Sequence, residues 1–417
     1  MDFLNLNRLN AFMNVMSGNM LPVTDKRMKL SVSTRIYWLI VWLVQLSYLA
    51  VCVLGARYVP TEISLKDSTV AMAVSLEGII LSLYMNSRQN LLRRLIEQLN
   101  DTLNNGDKLL RSVTTQTVQP LEKVLKLYTI GSIGPVTVWT LLQFIRVTQT
   151  DEFYYVDYRV PAVFSAEPFS LKVFVAGGFF VCLGSTYAIA RKVSLDLYMI
   201  HMIRLMTAQY RYLRIKFAEI LRGKSDVWTK GPWKGEMEVK EEMRVLTSHY
   251  GTIIKMTSTL KKVLAPNIGV LYINNVFRFC FLSIMLVMTS TEDMEKYLIT
   301  LYSIGALIQL YMLCFSIQEL LEASIAVADD AFYEKWCVYD TSLLRATAIM
   351  SFGSKLECKL TSVRSVDLTL SSFMSILNQA YSVCLLFLKA RYSHLRATIK
   401  EPYIKDTIAP AGNYTER

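Results

Sequence analysis

Seven sparsely charged apolar runs, each about 20 residues long, dominate this chain and leave it few folds to choose from. They lie near residues 35–56, 69–86, 123–147, 171–190, 268–290, 297–318 and 367–388. A helix rises about 1.5 Å per residue, so each run can cross a hydrocarbon core of about 30 Å. Segments at that depth must satisfy their own backbone hydrogen bonds, which a helix does within itself. The expected fold is therefore an all-α polytopic membrane protein with seven transmembrane helices. Composition agrees: 53% of the 417 residues are hydrophobic and 19% charged, with a mean hydropathy of +0.31, well away from soluble-domain averages.

An odd number of spans puts the termini on opposite sides, and Lys and Arg placement chooses between the two orientations. With the N-terminus inside, the four inner segments carry 30 such residues and the three outer loops only 4. That asymmetry predicts N-in, C-out, against the dissent of a basic C-terminal tail. It also accounts for the net charge of +11 without nucleic acid. The opening residues lack the pattern of a cleaved signal, so the first span is expected to direct insertion. The resulting division is 1–34 cytoplasmic, 35–190 spans one to four, 191–267 a cytoplasmic helical extension, 268–318 spans five and six, 319–366 a second cytoplasmic segment, 367–388 span seven and 389–417 an extracellular tail. Asn100 begins a sequon on the inner side and should be unmodified; Asn413 begins one in the outer tail.

The stretch after the fourth span is patterned. Leu195, Tyr198, Met202, Met206, Tyr210, Leu213, Phe217 and Ile220 recur at steps of three and four with basic residues between them, the signature of an amphipathic helix. The fourth span should thus continue past the membrane, break near Gly223–Gly235, and be answered by a helix rising from about Glu236 into span five. The sixth should run on toward Trp336. Such faces pack on one another, on partner subunits or on the membrane surface.

Span seven carries Ser371, Ser375, Asn378, Ser382, Leu385 and Lys389 on one stripe. A polar stripe on a spanning helix must face water or protein; it lines a pore or packs against neighbouring helices. Glu77 interrupts span two and Arg278 span five, and both should face the bundle interior. Glu77 contacts ligand or serves as a structural hydrogen-bonding group, and pairing with Arg278 is one arrangement open to it. Five cysteines (Cys52, Cys182, Cys280, Cys314 and Cys384) fall in spans, and Cys337 and Cys358 in an inner segment, so free thiols are expected with no zinc spacing. His201, His249 and His394 are scattered, and no triad, Walker or phosphate-loop pattern accompanies them. Neither an enzyme nor a cofactor is indicated.

The arrangement resembles the insect odorant receptors over nearly the whole chain. Ala331, Tyr333 and Trp336 are similar to the family's segment after the sixth span. Ser371, Phe373, Ile376, Leu377, Tyr381, Ser382, Leu385 and Leu386 are similar to its seventh-span pattern. Arg159-Val160-Pro161 with Pro168 resembles an Arg-x-Leu-Pro motif followed by a proline, with valine in the leucine's place. The resemblance implies an odorant-gated, non-selective cation channel in the plasma membrane of olfactory sensory neurons, working as a heterotetramer with the odorant receptor co-receptor. It implies seventh spans around a central pore, with Leu385 and Leu386 at a hydrophobic constriction and Lys389 one turn outward. The cytoplasmic helices would form a shared anchor. The chain lacks a long cytoplasmic insert, so it resembles a ligand-specific subunit rather than the co-receptor.

A small volatile ligand gains affinity chiefly by burying apolar area. The outer halves of spans two to six offer Met72, Ser75, Leu76, Trp139, Gln143, Phe174, Gly178, Phe179, Phe281 and Tyr302 as candidate contacts, each of which could equally be ordinary core. The rival readings are a G-protein-coupled receptor and a transporter. The first needs the opposite orientation and lacks here its Asp-Arg-Tyr and Asn-Pro-x-x-Tyr motifs; the second shows no internal repeat.

Overall fold

The computed structural model describes residues 2–24, 31–227, 232–288, 293–333, 348 and 368–405. Regular structure among them is helical apart from one isolated bridge, Phe153 opposite Phe169. Seven helices are long and apolar enough to cross a membrane: Val32–Tyr58, Thr69–Ser87, Lys108–Thr148, Leu171–Ile220, Val239–Val287, Met294–Val327 and Leu370–Lys389. Each apolar run of the sequence maps onto one of them. Cys52, Cys182, Cys280, Cys314 and Cys384 are free.

Several helices far outrun the bilayer. The fourth is continuous over Leu171–Val227 and the fifth over Pro232–Met288, 57 residues each; the sixth covers Asp293–Tyr333. Both helices thus reach into the Gly223–Gly235 stretch where a break is expected from the sequence. All eight residues of the predicted amphipathic face, Leu195 through Ile220, are at most 4% exposed. They bury against the neighbouring long helices rather than at a membrane surface. Ion pairs join the fourth and sixth helices along the same extension: Arg204 and Arg211 both meet Glu319, Arg211 at 3.0 Å, and Arg214 Nε meets Asp330 Oδ2 at 2.5 Å.

The residues before the first span add to this end of the bundle. Short helices Phe3–Leu6 and Arg8–Met16 tuck under it, with Phe3 edge-on to Tyr198 at 6.0 Å. The Phe3 N–H donates to Asn100 Oδ1 at 2.8 Å. Asn100 is thereby buried and engaged, consistent with an unmodified sequon. It lies on an amphipathic helix, Gln89–Asn105, whose Leu92, Leu95, Ile96, Leu99 and Leu103 point inward. Trp336, Cys337, Cys358 and Asn413 lie outside the described residues, as do the side chains of Ala331, Tyr333 and His394.

Candidate ligand cavity and pore face

Between spans two to six, toward the end that carries the 149–170 loop, lies a cavity of about 90 Å³. Its position follows from the third helix. The third and sixth helices first cross closely, where a Cβ on Gly305 would sit 3.2 Å from the Gly131 carbonyl oxygen, a small-residue contact typical of membrane helices. One turn on, Pro135 lies inside the third helix, where it removes a hydrogen bond and crowds the preceding turn. There the wall opens. Pro135, Val136, Trp139 and Thr140 of the third span line the cavity with Leu298, Ile299 and Tyr302 of the sixth. Span two adds Val70, Ala71, Val74 and Ser75, span four Ser185, Ala188 and Ile189, and span five Leu282 and Met285. Tyr48, Asp67 and Val160 complete it. A dry apolar cavity of roughly 150 Å³ takes up benzene; at about 90 Å³ this space is smaller, so its walls would have to give for a ring-sized molecule to enter.

Val160 reaches the cavity from the 149–170 loop, which is rigid for identifiable reasons. Phe153 stacks on Phe174 with centroids 4.3 Å apart, and Tyr158 stacks on the same ring at 4.9 Å. Burial raises the Tyr158 phenol above its ordinary pKa, so it stays neutral. The loop docks on the first span at Gly55, where a Cβ would lie 2.2 Å from the Pro161 carbonyl oxygen; no side chain fits there. Arg159 lies over the Trp139 ring, 5.5 Å from its centroid, and pairs with Glu295 at the start of the sixth helix. One arginine thus ties the loop to the cavity wall and to a second helix.

Of the candidate ligand contacts, the structure brings Ser75, Trp139 and Tyr302 to the cavity. The others lie elsewhere. Leu76 and Phe179 are 50% and 56% exposed on the outside of the bundle. Phe174 is sealed in the loop's aromatic stack, and Met72 packs against the same cluster. Gln143 Nε2 donates to the Gly178 carbonyl at 3.0 Å, which occupies both residues in a helix-to-helix contact. Phe281 packs beside Phe387 of span seven, 6.2 Å between ring centroids. Hydropathy locates a span along the chain, but a helix apolar all round gives no rotational phase. The cavity residues it therefore missed include Tyr48, Asp67, Val160 and Met285.

Glu77 does not pair with Arg278. Its Oε1 meets Lys192 Nζ at 2.5 Å, and its Oε2 accepts from Asn274 Nδ2. Lys192 also approaches Asp196 at 3.4 Å, and the Tyr128 hydroxyl donates to Asp196 Oδ2 at 2.7 Å. Arg278 instead donates to Asn275 at 2.8 Å and Gln309 at 2.7 Å. This polar layer knits spans two to six together. Lys192 and Asp196 were read as lying beyond the membrane because charge ends a hydropathy window at 190; the helix runs straight on and both are buried.

The seventh span packs on its own bundle through Ser372, Ile376, Ala380 and Cys384, each at most 8% exposed. The opposite face is turned away from the bundle. Ser371, Asn378, Ser382, Leu385, Leu386 and Lys389 are exposed there, Leu386 to 69%. Ser371, Ser375, Asn378 and Ser382 line one side of an open groove with Gln379. Ser375 is half-buried and shares a hydrogen bond with Tyr272 at 3.2 Å. Gln379, absent from the sequence-based stripe, donates to the Tyr272 hydroxyl at 2.9 Å.

The same helical architecture occurs in solved receptors. The insect olfactory receptor OR5 from Machilis hrabei superposes with a TM-score of 0.73 at 12% identity, covering 94% of this chain and 100% of that one. The same receptor in complex with eugenol gives 0.73 at 13% identity and equal coverage. No curated protein sequence matches the chain. A family model described as 7tm Odorant receptor matches residues 65–381, more than half of the length, and the chain belongs to that odorant receptor family.

Proposed function

We propose that this multi-pass membrane protein is the ligand-specific subunit of an odorant-gated, non-selective cation channel. It binds a small hydrophobic volatile in the cavity between spans two to six and opens a pore formed with the odorant receptor co-receptor. The observation that carries the reading is the seventh span's outward face. Asn378 and Ser382 there are exposed polar groups in the middle of the span, which are costly against lipid tails unless they meet water or protein. Assembly around a central axis gives those groups water and makes the face a pore wall. The eugenol complex of the Machilis hrabei receptor supports a small aromatic volatile as the type of ligand. The Lys and Arg asymmetry supports an N-in orientation: an N-terminal epitope should stain only in permeabilised cells and a C-terminal one in intact cells. The reverse pattern would favour a G-protein-coupled receptor.

The outer end of the pore face gives a second test. Leu385 and Leu386 form an apolar neck that holds a narrow pore closed by dewetting, and Lys389 sits one turn beyond. Four symmetric copies of this chain would put one ring of four lysines at the mouth and repel cations, so dilution by co-receptor subunits fits this sequence. Leu386→Ala in the heteromer should raise current without odorant. Lys389→Gln should raise conductance or divalent permeability, most visibly at low salt, where screening is weakest. No change in either property would remove this end of the helix from the conduction path.

A further inference from the structure

We propose that Gly131, Gly134 and Pro135 set the upper size of ligand that the cavity accepts, by forming a hinge on which the outer part of span three swings away from span six. The proposal rests on the reading of the cavity as the odorant site and adds a determinant of its specificity. At about 90 Å³ the resting space is smaller than a ring-sized molecule needs. A wall must therefore yield, and the third helix is the one that can.

Three features weaken that helix at one turn. Pro135 has no N–H, so the Gly131 carbonyl loses its helical donor, and the proline ring crowds the same carbonyl. Gly131 and Gly134 are the poorest helix formers short of proline. A Cβ at either would meet nothing within 4 Å, so no packed side chain braces the turn. Beyond Leu141 the helix tightens into a 3-10 segment, Leu142–Thr148, whose hydrogen bonds are less well aligned.

The contacts on the two sides of this turn differ. Inward the helix is pinned: the Tyr128 hydroxyl donates to Asp196 at 2.7 Å, and Gly131 lies against Gly305. Outward its side chains reach span four, where Gln143 donates to the Gly178 carbonyl at 3.0 Å and the Thr137 and Thr186 hydroxyls share a hydrogen bond at 3.3 Å. The outer part is thereby coupled to span four, and it faces Leu298, Ile299 and Tyr302 of span six across the cavity itself. Crowding by a proline ring is relieved when the helix leans away from the face that carries the ring. Pro135 lines the cavity, so that lean widens it. Arg159, over Trp139 and paired with Glu295, is a bridge that draws the two sides back together.

Calorimetric titration of benzene and propylbenzene into the full-length protein in detergent tests this. The unaltered protein should bind both. Gly131→Ala with Gly134→Ala stiffens the turn without filling the cavity, whose lining includes neither residue. It should weaken propylbenzene about fivefold relative to benzene. Pro135→Ala separates a hinge from a fixed wall. It restores the missing donor while removing ring atoms from the lining, so a fixed wall would bind propylbenzene more tightly and a hinge less tightly. An unchanged ratio of the two affinities in the glycine variant would overturn the proposal, as would tighter or unchanged propylbenzene binding by Pro135→Ala. Equal loss of both probes, in the double and in each single glycine variant, would overturn it too, since the glycines would then act on folding and not on size. If the unaltered protein takes benzene and refuses propylbenzene, nothing swings and the proposal falls. If it binds neither, the cavity reading itself fails.

Discussion

Lys192→Met should be the most damaging single change in the bundle. It leaves Glu77 and Asp196 buried together without the ammonium that lies 2.5 and 3.4 Å from them. Removing one partner of a buried ion pair destabilises by about 3–5 kcal/mol, because the remaining charge has neither water nor counterion. The purified receptor should therefore unfold at a markedly lower temperature, and its surface abundance should fall. Adding Glu77→Gln and Asp196→Asn to the same variant should restore much of the loss, since the neutral groups need hydrogen bonds but no counterion. Thermal unfolding of the single and triple variants checks both statements. A single variant with unchanged stability would mean that solvent reaches the layer.

Trp139→Ala should have the largest effect on ligand response. The ring is part of the cavity wall and the surface on which Arg159 rests. Truncation removes apolar contact with the ligand and the stacking that helps hold the loop above it. An aromatic contact of this size contributes on the order of 1–3 kcal/mol, so the concentration–response curve should move by roughly ten- to a hundredfold. Assembly should persist, because the ionic layer lies on other residues. A potency unchanged across an odorant panel would assign Trp139 to packing alone.

How much of this was legible in the sequence depends on the kind of signal. The seven spans were, because crossing a bilayer demands about 20 apolar residues whatever surrounds them. So was the fourth helix's extension: a stripe from Leu195 to Ile220 on an otherwise basic segment can be satisfied in few ways. The seventh span's polar stripe showed for the converse reason, since polar groups are rare enough there to mark a face. The cavity was not. Ser75 and Leu76 are neighbours in sequence, yet one lines the cavity and the other is half-exposed outside, and nothing in an all-apolar helix distinguishes them. The contacts of Lys192 and Asp196 were hidden for the opposite reason: their charge ends an apolar run, and nothing in the sequence shows that Glu77 and Tyr128 meet them. The 149–170 loop has no periodicity to read, and its contribution through Val160 and Arg159 depends on contacts far apart in the chain.

The central claim is that odorant binding to this chain opens a cation pore directly. Current through excised membrane patches of cells expressing this chain with the co-receptor tests it best. The account predicts odorant-evoked current in patches bathed without nucleotides, with onset unaffected by G-protein inhibitors. A response that vanishes on excision and returns only when GTP and a G protein are supplied would contradict it.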